Sequence, residues 1–123
     1  MFLAFTVICD FLCCFAVDAS TGVAIAHTYH TVSLPCHTNL TTAVDWTYKQ
    51  SAETNEVEVC VSGRVRSSYK DRFSIVSPSA GVYNLVISNV QSTDEGKYTC
   101  IEDAGVGRRH PIQLHVIGKC LII

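Results

Sequence analysis

Five histidines and seven cysteines are the side chains in this 123-residue sequence with the most chemistry to offer. His27, His30 and either Cys36 or His37 carry the nitrogen and sulfur donors that zinc takes, but their spacing matches no known ligand pattern. His110 and His115 stand apart from them. No H-x-x-x-H pair, no serine in a Gly-x-Ser-x-Gly turn, no carboxylate pair beside a histidine and no glycine-rich phosphate loop occurs. The expectation is a chain that is not an enzyme and carries neither metal nor cofactor. Seven cysteines then need an oxidising compartment, because a cytosolic chain this short seldom holds so many thiols.

Charge narrows the partners. Nine basic against eleven acidic residues give a net charge of −2, and charged residues make up only 16% of the chain. No basic patch of the kind that nucleic acid or an anionic membrane attracts is present, nor a charged tail that would stay unfolded. The length bounds the answer at one domain.

Residues 1–19, MFLAFTVICDFLCCFAVDA, are apolar except for Thr6, Asp10 and Asp18, and read as a secretory leader cut before Ser20 or before Val17. Asp10 argues against a membrane-spanning helix, since a carboxylate at the bilayer centre costs about 2.5–3.5 kcal/mol. Cleavage would remove Cys9, Cys13 and Cys14 together with two acids, leaving a neutral domain over residues 20–118 with four cysteines if the short tail 119–123 is included. No later run of 18 apolar residues forms a transmembrane segment in this chain.

The elements that must position the remaining cysteines are strands. Val32, Leu34 and Cys36 alternate with polar neighbours, as do Val44, Trp46 and Tyr48 with Asp45, Thr47 and Lys49, and Val57, Val59 and Val61 with Glu58 and Cys60. Further runs lie at residues 73–75, 83–87, 97–101 and 112–116, separated by turn compositions such as Ser77-Pro78-Ser79-Ala80-Gly81. Ser92 to Gly96 could form a single helical turn. Seven or eight short strands without helical periodicity imply an all-β antiparallel sandwich or barrel. Within it, Cys36 and Cys100 face inward 64 residues apart, with one inward tryptophan between them.

Cys36, Trp46 ten residues later, and Cys100 at the end of Asp94-Glu95-Gly96-Lys97-Tyr98-Thr99-Cys100 resemble the immunoglobulin superfamily, in its variable-type (V-set) form, over about residues 22–117. The resemblance implies an immunoglobulin-like β-sandwich whose two sheets are joined by a Cys36–Cys100 disulfide, with Trp46 packed on the bridge and Leu85 in strand E. It also implies that the Tyr98 hydroxyl bonds the backbone at the E–F turn, that Gly96 permits the turn into strand F, and that Arg72 and Asp94 pair across the base. The last strand lacks the Phe-Gly-x-Gly bulge of rearranged antigen receptors, which points to a germline-encoded relative.

On that resemblance the expected function is extracellular recognition of a protein ligand or receptor ectodomain, in immune or cell-adhesion signalling, by a chain that is secreted or displayed on the external side of the plasma membrane. A soluble decoy of a membrane-bound relative and a structural module of a larger ectodomain are the alternatives. Glu102, Asp103, Arg108 and Arg109, around the expected F–G hairpin, form the candidate ligand-facing patch. Asn39-Leu40-Thr41 is the sole N-x-[ST] sequon and marks Asn39 for glycosylation in the short B–C loop. Cys60 is expected as a buried thiol, and Cys120 either as an exposed thiol or as an intermolecular bridge that makes a homodimer.

Overall fold

The structure is a computed structural model that describes residues 22–39 and 42–118, together with the backbone of residues 6–9 and 14–18. Period-2 alternation produces the strands. In β3 (Val23–His27) it buries Ala24 and Ala26, in β4 (Val32–Leu34) it buries Val32 and Leu34, and in β9 (Asn84–Ile87) it buries Leu85 and Ile87. The other strands are β1 (Thr6–Cys9), β2 (Cys14–Asp18), β5 (Asp45–Gln50), β6 (Val57–Val61), β7 (Arg64–Val65), β8 (Phe73–Val76), β10 (Gly96–Ile101) and β11 (Arg109–Ile117).

They form two sheets. One has the order β1-β2-β3-β11-β10-β5-β6-β7, and the other is β4-β9-β8. All pairings are antiparallel except β3 with β11, which run parallel. The core between the sheets is filled by Trp46, Tyr98, Leu34, Leu85, Ile87 and Leu114, each fully buried. Cys36 and Cys100 are bonded across it, with their Cα atoms 6.3 Å apart. Closing a loop of this length contributes about 4 kcal/mol by restricting the unfolded chain. The Trp46 indole N–H donates to the Tyr83 carbonyl at 3.0 Å, so its polar edge is satisfied within the core.

The base of the sandwich is tied by a connected polar set. Residues Ser92–Asp94 form one 3-10 turn closed by a capping box: the Asp94 carboxylate accepts from the Gln91 backbone N–H at 2.8 Å. The Arg72 guanidinium then donates to both Asp94 oxygens at 2.7 and 2.9 Å. The Tyr98 hydroxyl donates to the Asp94 carbonyl at 2.7 Å, and its ring stacks on Tyr48 at 4.6 Å between centroids. Gly96 has φ +153, and a Cβ there would lie 2.3 Å from the Lys49 carbonyl oxygen, so the close approach of β10 to β5 requires glycine.

One strand departs from the alternation. Val57, Val59 and Val61 are expected on a single face, but the β5–β6 register slips between Trp46 and Thr47, where Cys60 faces Trp46 and Glu58 faces Thr47. The extra residue buries Val59 and Cys60 together and leaves Val57 and Val61 at 43% and 36% exposure. The stretch expected as a leader supplies β1 and β2, which pair with each other and, through Ala16, Val17 and Asp18, with β3. No helix among the described residues is long and apolar enough to cross a membrane.

Candidate functional site

Inward phase at Trp46, Tyr98 and Cys100 forces their neighbours to the outer surface of the large sheet, and the registers align these neighbours in rows. Arg109, Ile101 and Asp45 form one row, Pro111, Thr99, Thr47 and Glu58 the next, and Gln113, Lys97 and Lys49 the third. Although they point outward, Ile101, Thr99 and Thr47 are only 5%, 2% and 8% exposed. A polar strap crosses their face. Glu56 accepts from the Thr47 hydroxyl at 2.6 Å, and Arg109 Nη2 donates to both Glu56 oxygens at 2.7 and 2.8 Å. Bonding to Thr47 first, and then to Arg109, holds the Glu56 carboxyl below the usual range.

The strap runs up to the turn at Glu102–Gly105, between β10 and β11. Asp103 and Ala104 both adopt left-handed geometry, with φ 52 and 51, and Gly105 follows at φ 93. The turn stays in place because neighbours hold it. The Ala104 N–H donates to the Ala43 carbonyl at 2.8 Å, and the Thr42 hydroxyl reaches Asp103 at 3.3 Å. A Cβ on Gly105 would meet Asp45 Oδ2 at 2.6 Å, so the turn packs directly on the buried Asp45 carboxylate.

The four candidate ligand-facing residues separate. Asp103 and Arg108 are exposed, and Arg109 is half exposed and engaged with Glu56. Glu102 points inward instead of toward a ligand, with 7% exposure. It continues the inward phase of Tyr98 and Cys100 and ties the end of the sandwich together, accepting from the Thr38 hydroxyl at 2.6 Å and lying 2.5 Å from His110 Nε2. Thr38 first and His110 second keep its carboxyl below the ordinary value. Val106, at 83% exposure, is the apolar tip of the turn.

Asn39 is exposed, next to Thr38 and hence at the same end as this turn; Leu40 and Thr41 of its sequon lie outside the described residues. Cys60 is a buried free thiol, and burial pushes it up to about 11. Cys120 lies outside the described residues. Among the basic residues between β6 and β8, Arg66 reaches Glu58 at 3.4 Å and Arg72 belongs to the base. No group of three His, Cys, Asp or Glu among the described residues is placed to hold a metal ion. No motif in the sequence marks Thr38, Thr47, Glu56 and His110 as members of one surface. Outward phase marks Thr47, but cross-strand partnership is invisible in a single chain.

The immunoglobulin V-set domain family model matches residues 23–117. The chain belongs to the immunoglobulin V-set family. No curated protein matches it. Among solved structures, this V-set domain is similar to the ZIG-8 IG1 homodimer, at 17% identity and TM-score 0.65 over 79% of each chain. It is also similar to a chain in the complex of Dpr11 IG1 with DIP-gamma IG+IG2, at 20% identity and TM-score 0.65 over 78% of this chain and 98% of that one. A third likeness is to a structure describing T cell specificity and activation by the superantigen toxic shock syndrome toxin-1, at 17% identity and TM-score 0.63 over 78% of this chain and 93% of that one. At these identities the likeness is one of fold.

Proposed function

We propose that this V-set domain is an extracellular recognition module that binds another protein through the outer face of its large sheet and the adjoining turn at residues 102–109. The observation that carries this reading is the combination of a held, left-handed turn with an exposed Val106 and a sheet face pinned by the Arg109–Glu56–Thr47 strap. A surface fixed before encounter loses little conformational freedom on binding. Two solved structures of similar fold, the ZIG-8 IG1 homodimer and Dpr11 IG1 bound to DIP-gamma IG+IG2, are assemblies with a protein partner and support this reading.

Residues 1–19 act as the leader in this reading, placing the domain outside the cell, in immune or adhesion contacts. A glycan on Asn39 would crowd the loop end and direct the partner toward the sheet. A bridge through Cys120 would dimerise the chain; a non-reducing gel of Cys120→Ser against the parent checks it, and a dimer band lost on substitution is the expected result.

The test is a binding screen of the glycosylated chain against cell-surface ectodomains, repeated with Val106→Asp and Arg108→Glu. At least one of the two is expected to weaken the hit about tenfold, the loss of about 1.4 kcal/mol. Hits indifferent to both, or no protein hit at all, would contradict the reading.

A further inference from the structure

Lys49 and Lys97 face each other directly across β5 and β10. Both lie on the outer face, because the residues preceding and following them, Tyr48 and Tyr98, stack beneath the sheet at 4.6 Å. Like charges in directly opposed cross-strand positions oppose folding. Nothing among the described residues neutralises this pair by an ion pair. The acids of the face are engaged elsewhere, Glu56 with Thr47 and Arg109 and Glu58 with Arg66. Lys97 acts on Glu56 only through space. The third member of the row, Gln113, adds an amide donor and no charge. A patch that disfavours folding and stays unneutralised gains stability when an anion settles on it.

We infer that the Lys49–Lys97 row is the charge-selective part of the recognition face and takes an acidic surface of a different protein, with a carboxylate seated between the two ammonium groups. This rests on the recognition reading above and names its partner's chemistry. Two observations favour a protein with carboxylates. The basic row is only two lysines wide, too small for a long polyanion, and beside it lie the half-buried Gln113 and the exposed Pro111, a polar and an apolar group of the kind a protein interface packs against. A second copy of this chain fits poorly, because a two-fold axis through the row sets lysines against lysines.

The experiment titrates the full secreted chain, isotope-labelled, with a short peptide of alternating Asp and Glu, a neutral Asn/Gln peptide and a heparin fragment, following amide shifts by NMR. Parallel titrations use Lys49→Glu, Lys97→Glu and the double variant, each first shown to keep the parent's melting temperature within a few degrees. The expected result is a shift cluster around Lys49, Lys97 and Gln113 with the acidic peptide alone. Its affinity should fall about tenfold or more in the double variant and weaken with added salt. Lysine-dependent binding of heparin in preference to the peptide would overturn the inference in favour of a sulfated glycan. A dimer by light scattering that Lys97→Glu dissociates would overturn it in favour of self-association. Binding of peptide or protein unaffected by the charge reversals would also overturn it while leaving the recognition reading intact, whereas absence of any protein partner in the ectodomain screen defeats both.

Discussion

Glu102 stands at the start of the F–G turn, where sequence places a ligand-facing rim, yet it follows Tyr98 and Cys100 in the inward phase and joins β10 to Thr38 and His110. Its phase was legible; its partners, 64 and 8 residues away, were not. Glu56 and Glu102 both have depressed carboxyl values in the folded state, so each contributes stability that is present above an unfolded value of about 4.3 and lost as pH falls through the lower folded value. Urea midpoints measured at pH 6 and pH 3 should therefore fall with acid, and Glu102→Gln should narrow the difference. An equal fall in both proteins would show that the Glu102 contacts contribute nothing. Cys60 gives a second prediction at this scale. Its burial and raised value predict that iodoacetamide at pH 8 leaves it unlabelled in the native protein and labels it in urea, read as the Cys60 peptide by mass spectrometry.

Among the elements, the strands carrying Trp46 and Cys100 follow directly from alternation, as does β4, which ends at Leu34 two residues before Cys36, and the helical turn expected within Ser92 to Gly96 forms at Ser92–Asp94. Strand β6 does not, because its bulge comes from pairing with β5 and one chain's period cannot show which residue the pairing will skip. The turn at Glu102–Gly105 was equally hidden: Asp103 and Ala104 carry no local preference strong enough to announce two successive left-handed residues. Glycine adopts that geometry without the Cβ penalty, so Ala104→Gly should not destabilise the domain and should gain up to about 1 kcal/mol. Gly96→Ala should behave oppositely and lose about 2 kcal/mol or more, since its Cβ meets the Lys49 carbonyl and the Tyr48 ring. Thermal denaturation of the pair checks both signs, and a stabilising Gly96→Ala would contradict the close approach of β10 to β5.

For the whole molecule, the disulfide, the Trp46 core and the Arg72–Asp94 base build a rigid sandwich whose large sheet turns one face outward. This face, and not the β4-β9-β8 sheet, is the one proposed to meet the partner. Glycan wedges separate the two most directly. Lys97→Asn completes an N-x-T sequon with Tyr98 and Thr99 on the large sheet, and Ser74→Asn with Val76→Thr builds one on exposed positions of β8. Both glycosylated chains would be compared with the parent for binding to the ectodomain found in the screen. If the partner docks on the large sheet, the wedge at position 97 abolishes binding and the wedge at position 74 leaves it within twofold of the parent, roughly 0.4 kcal/mol; binding kept by the first and lost by the second would place the partner on the other sheet.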